Sequence, residues 1–287
     1  MTRTRQSYKR YVRSSFGNVV MLLFLIIAGC VTLLPLVYSV VTSFKPLEEL
    51  LVFPPKFYVL RPTLQNYLEL PNIISSLSVP LSKYIFNSLF ISIVTTFLHV
   101  VVASMAAFVL SKGRFKGLGI IFMLVQALLL FNSYTLAIPQ YIIFSKLNLI
   151  DTYLVYILPY LPSVLGVFLI KQYMDGSIPD ALIEAAYIDG ASDFKIYWRI
   201  IMPISKPAWM TLILFAFRDL WALQPQGTIF DEKLKMLPNV MSTITAGGIA
   251  RSGSAMAATV LLMIVPIIVY LVSQSNVMET MSSSGIK

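Results

Sequence analysis

The sequence predicts an all-α, polytopic membrane protein with six transmembrane helices and both termini in the cytoplasm. Three observations predict it. First, the 287-residue chain is 57% hydrophobic and only 12% charged, about half of the roughly 25% charged residues in a soluble domain. Second, the apolar residues fall in blocks that match the about 20 residues needed to cross about 30 Å of hydrocarbon. Backbone groups in lipid find no water to bond, so such blocks are helices. Third, basic residues gather in alternate connections between the blocks, which fixes an orientation.

Residues 1–18 are a basic tail with Arg3, Arg5, Lys9, Arg10 and Arg13 ahead of the first span, 19–42. Ile27-Ala28-Gly29-Cys30 imitates a lipoprotein cleavage box, but the chain stays apolar past Cys30 to Val37. A signal-anchor helix is therefore expected, with Cys30 as a small core residue. A mixed segment, 43–83, holds four basic and three acidic residues and belongs outside. The second span is 84–111, where Ala103, Ala107 and Ser111 form a close-packing face at four-residue spacing. The third is 117–138, and a short connection with Lys146 and Asp151 leads to the fourth, 153–173. The fifth begins near Met202, is crossed early by Pro203 and Pro207, and ends near Leu223. The sixth is 255–273, and 275–287 is a cytoplasmic tail. Residues 84–274 thus make a membrane core enclosing a cytoplasmic loop, 174–207.

Orientation rests on the basic clusters. Lys112, Arg114 and Lys116 lie between spans two and three; Lys171, Lys195, Arg199 and Lys206 lie between four and five. With the tail they share one side, the cytoplasm. That distribution accounts for the net charge of +9 without nucleic acid. A single cysteine and a single histidine exclude a disulfide and a Cys/His metal site within the chain. No interrupted pair of half-helices is evident, which argues against an inverted-repeat secondary transporter.

The loop between spans four and five carries the function. Ser177 is a plausible N-cap, with Pro179 in the first turn, of a short helix ending at Ile188. Leu182, Ala185, Ala186 and Ile188 give it a small apolar face, and Asp189-Gly190 stops it. A second amphipathic piece leads to Pro203. Asp180, Glu184, Asp189 and Asp193 make the polar face acidic, which an anionic leaflet repels. Docking to a cytoplasmic protein fits better, with the Ala185-Ala186 pair letting the helix sit deep in a partner's groove.

Glu184-Ala185-Ala186, three residues, Gly190, nine residues, Ile200, one residue, Met202-Pro203 resembles the cytoplasmic loop motif of ATP-binding-cassette (ABC) importer permeases, with Met in place of the motif's Leu. Thr42-Ser43-Phe44-Lys45-Pro46, Asn87-Ser88 and Leu149-Ile150-Asp151-Thr152 resemble the MalG branch of carbohydrate importers. The C-terminal end, Gln274 to Met281 and Ser284 to Lys287, is similar to the LplC/YtcP subgroup. The resemblance implies a type I importer permease fold (MetI-like). It implies a second permease, two ATPase subunits that bind ATP and Mg, an extracytoplasmic solute-binding protein, and a carbohydrate, expected to be an oligosaccharide, as cargo. Glu184, Ala185, Ala186, Asp189, Gly190 and Pro203 would couple to the ATPase. The sequence itself has no G-x-x-x-x-G-K-[ST] phosphate loop, and this chain is expected to bind no cofactor.

Candidates along a substrate path are Gln126, Asn132, Tyr156, Tyr160 and Asp219. Gln126, Asn132 and Ser133 either line a polar path or bond between helices. Tyr153, Tyr156 and Tyr160 either stack on sugar rings or form an interfacial belt, the reading preferred. Arg218, Asp219 and Gln224 either gate the path or snorkel. His99 is either a functional group or a hydrogen-bonding bridge between helices, the latter preferred. The alternatives to a carbohydrate permease are an ABC permease for another solute and an ion-coupled transporter. The second needs intramembrane carboxylates, and Asp219 is almost the only one.

Overall fold

A computed structural model describes residues 15–75, 79–131, 133–225, 227–245, 247–248 and 251–284. The basic tail through residue 14, Asn132 and the last three residues lie outside the described set. All regular elements within it are helices.

Helix α1 (Ser15–Ser43) runs unbroken through Cys30 and packs chiefly along the last helix, with its C-terminal end bonded to Asn66 and Tyr67 and most of its other apolar side chains facing outward. Cys30 is exposed there and does not belong to the core. Short helices α2 (Leu47–Leu50) and α3 (Gln65–Ser75) fold the outer segment. Helix α4 (Leu81–Lys112) is 32 residues long, about 48 Å at 1.5 Å per residue. It contains neither proline nor glycine. Ala103 and Ala107 are fully buried where α4 meets the fourth span, as the small-residue spacing requires.

The third expected span is not one helix. Helix α5 (Leu118–Leu128) has 11 residues, about 16 Å, and a turn and a 3₁₀ segment separate it from α6 (Ala137–Lys146). The fourth is α7 (Leu154–Ile157), a 3₁₀ turn through Tyr160, and α8 (Val164–Ser177), bent by 41°. Pro159 and Pro162 explain the break, since neither ring nitrogen carries a hydrogen to donate. Between the fourth and fifth spans lies α9 (Asp180–Ile188), with Pro179 at the N-cap position; Ser177 ends α8 and does not cap α9. The fifth combines α10 (Asp193–Ile196), a π-helical turn through Ile201, α11 (Met202–Ile204) and α12 (Lys206–Trp221). A 79° bend falls at Ser205, between Pro203 and Pro207. Trp209 Nε1 donates to the Met202 carbonyl at this break, 2.9 Å away. Helix α13 (Leu237–Thr245) precedes α14 (Ser252–Ser284), which continues the sixth span into the expected tail.

Among the described residues α1, α4 and α14 are long and apolar enough to cross a membrane, and the two bent pairs bring the number to five. The interruptions that the sequence concealed are thus real. In the fourth and fifth spans they sit beside prolines, and side chains there meet backbone carbonyls, His99 at Tyr160 and Trp209 at Met202. The inner core joins α4, α8, α9 and α12 through Val100, Ile170, Met174, Ile183, Ile201 and Leu212. An outer cluster joins α3, α4, α13 and α14 through Leu70, Tyr84, Val240 and Ala257.

Candidate functional site

Helix α9 rests on the C-terminal end of α4. Its Ile183 and Ala186 are buried among Ile178, Ile196 and Tyr197, while Ala185 and Ile188 face outward. Adjacent residues of a helix lie 100° apart, so the Ala185-Ala186 pair splits: Ala186 packs inward and only Ala185 is available to a partner. Leu182 and Ile188 flank it on the free side, Ile188 at 87% exposure. Gly190 ends the helix at φ +73°, and Asp189 occupies the C-cap. Pro203 is exposed at the 79° bend and lines an apolar cleft of about 610 Å³ between α4, α12 and α14.

The acidic face is not bare. Lys112 Nζ donates to Asp180 Oδ1 and to the Ile178 carbonyl, both at 2.7 Å. Arg114 donates to Glu184 Oε1 at 2.7 Å. Ser111 and Lys171 both donate to Asp175, at 2.5 and 2.6 Å. The Lys112 side chain is 7% exposed, whereas Asp180 is open to water. The Lys112 hydrogen bond and charge hold the Asp180 carboxyl below its ordinary 3.8. The pair is therefore fully charged at neutral pH and is lost only as pH falls through that lowered value. Tyr187 donates to Asp193 at 2.6 Å, which pushes its phenol above 10. In the sequence Lys112 and Arg114 mark only topology. Their spacing from the acids, 68 and 70 positions, hid their role.

At the outer end α4 grips the connection that precedes α13. Tyr84 donates to Glu232 at 2.8 Å, Asn87 Nδ2 donates to the carbonyls of Lys233 and Lys235, and Ser88 Oγ accepts the Leu237 N–H at 2.7 Å. Asp151, at φ +58°, accepts the N–H groups of Phe230 and Asp231. Asn66 donates to the carbonyls of Ser43 and Lys45, and the buried Lys45 donates to the Lys56 carbonyl. The three short stretches that resemble the carbohydrate branch therefore all build the outer framework.

Candidate path residues are dispersed. Tyr156 is fully buried with its hydroxyl on the Leu234 carbonyl, leaving no ring face for a solute in this conformation, and Tyr153 donates to Asn87. Both therefore brace the outer loop rather than form a belt. Tyr160 and Asp219 come within electrostatic reach of each other, and Asp219 is paired with Arg218 at 2.9 Å. Gln224 donates to the Pro238 carbonyl. Gln126 is exposed on α5.

Comparison with known proteins extends the picture. The family described as "Binding-protein-dependent transport system inner membrane component" matches residues 99–277. The arabinooligosaccharides transport system permease protein AraQ of Bacillus subtilis is 30% identical, over 71% of this chain and 73% of its own. Protein LplC of the same organism is 32% identical over 71% of this chain and 66% of its own. A crystal structure of a bacterial ABC transporter involved in the import of the acidic polysaccharide alginate superimposes with a TM-score of 0.76. It covers 91% of this chain and 95% of that one at 22% identity, a likeness of fold.

Proposed function

The chain belongs to the family of binding-protein-dependent transport system inner membrane components, and from that premise we propose that α9 takes the stroke of a separate ATPase to move an oligosaccharide inward. As a family member it is a multi-pass component of the cytoplasmic membrane and a permease of an ABC importer, a class that works with ATPase and solute-binding subunits. We assign it one of two permease positions, beside a second related permease, two ATPase subunits carrying ATP and Mg, and an extracytoplasmic binding protein.

The observation that carries this reading is the construction of α9. One side is bolted to the chain's own inner core, and the other offers Leu182, Ala185 and Ile188 to the cytoplasm. A helix that only lay on headgroups would show basic residues there instead. ATP that binds one conformation more tightly shifts the population toward it. Glu184, Ala185, Asp189 and Gly190 form the contact, Ala186 seats it, and Pro203 marks the bend through which α12 follows. Tyr160 and Asp219 are the path residues best placed near one another. The oligosaccharide assignment draws on the named cargo of AraQ and of the alginate importer.

The test uses the assembled complex. Glu184→Lys places a cation beside Arg114, and Gly190→Val forces a β-branched residue into left-handed backbone, a strain of about 1–2 kcal/mol or more. Both variants are expected to abolish substrate-stimulated ATP hydrolysis while the chain remains in the membrane. Undiminished transport in both overturns the coupling role of α9.

A further inference from the structure

We propose that α4 is a rigid strut that carries the movement of α9 to the outer loop Thr228–Leu237, with Lys112 as the positioning residue at its inner end. The inference rests on the reading of α9 as the ATPase contact.

Among the described spans α4 alone is both unbroken and free of proline. Helices α1 and α14 contain Pro35 and Pro266, and the fourth and fifth spans bend by 41° and 79°. A displacement applied to a bent span is absorbed at its bend; applied to α4 it travels the whole length. Both ends are fastened. Inside, Lys112 holds the N-terminal turn of α9 by a charged pair and a carbonyl, and Ala107 shares the core of Ile183 and Ala186. Outside, about 36–42 Å away along the axis, Tyr84, Asn87 and Ser88 hold the outer loop by four hydrogen bonds. Midway, His99 Nε2 meets Ser163 Oγ at 2.7 Å, so the strut also touches the bend of the fourth span. Coupling along the strut is read as a response at one end on perturbing the other.

Phe230, 61% exposed with its side chain outside the anchoring bonds, is the reporter. In a complex reconstituted with Cys30→Ser and Phe230→Cys, labelling by a membrane-impermeant maleimide is timed with and without ATP plus vanadate. The parent is expected to change its labelling rate by about tenfold, within the range of allosteric couplings. Lys112→Met is expected to remove that response while ATP hydrolysis continues, and Lys112→Arg to keep it. Tyr84→Phe with Ser88→Ala, which leaves the inner end untouched, is expected to remove it too. If Lys112→Met fails to assemble, the outer pair decides alone. A parent that shows no response, or variants that respond like the parent, overturn the strut. If the parent chain recruits no ATPase, the reading of α9 fails instead.

Discussion

His99 stands beside the stretch where Pro159 and Pro162 interrupt the fourth span. Its Nδ1 donates to the Tyr160 carbonyl, which has lost its helical partner, and its Nε2 accepts from Ser163, whose Oγ in turn caps α8 by accepting the Gly166 N–H at 3.0 Å. One neutral imidazole thus closes a break that lipid cannot solvate. Leaving a buried carbonyl unsatisfied costs about 1–3 kcal/mol. His99→Leu is expected to lower stability by that amount, read as a lower unfolding temperature of the purified chain in detergent; an unchanged temperature refutes the bridge. The sequence posed His99 as either a functional group or a bridge and preferred the bridge. It could not name the partners, which lie 61 and 64 positions away. Asn87 illustrates the same limit, since a resemblance marked it and only the fold shows which carbonyls it holds.

Between elements, Leu212 of α12 packs tightly against α8 at Gly166. A Cβ there would stand 2.2 Å from Ser163 Oγ and 2.6 Å from Leu212 Cδ2. Gly166→Ala should therefore displace the cap and part the helices, costing about 1–3 kcal/mol as overpacking does. Gly176→Ala on the same helix meets nothing within 4 Å and should be neutral or stabilising by up to about 1 kcal/mol. Thermal unfolding of the two variants side by side separates a packing effect from helix propensity; equal behaviour would remove the packing explanation. Element boundaries were legible where hydropathy alone decides them, as at both ends of α4 and the start of α14, whose helix runs on past the apolar stretch to Ser284. They were not legible where proline and tertiary contacts compete with it. The third apolar stretch reads as one span because every residue from Leu118 to Leu130 is lipid-compatible except Gly119 and Gln126, yet the helix stops at Leu128. Ser177 looked like a cap because its hydroxyl suits one, but α8 continues through it and Pro179 starts α9.

At the scale of the molecule the two ends differ in kind. The inner end gathers Lys112, Arg114, Lys171 and their carboxylate partners on α8 and α9, so the two basic loops assigned to one side do meet. The outer end joins the segment after α1, the connection around Asp151 and the loop before α13 through backbone-directed hydrogen bonds. Charge asymmetry in short loops is what sets orientation during insertion, which is why this much of the architecture was readable before any contact was known. Leu51, 64% exposed, and Ile188, 87% exposed, lie at opposite ends. In a Cys30→Ser background, Leu51→Cys is expected to react with a membrane-impermeant maleimide on cells whose outer face is accessible, and Ile188→Cys only after the membrane is opened. Labelling in the reverse order would place α9 outside, beyond the reach of any cytoplasmic ATPase, and no rearrangement within this fold could bring it back.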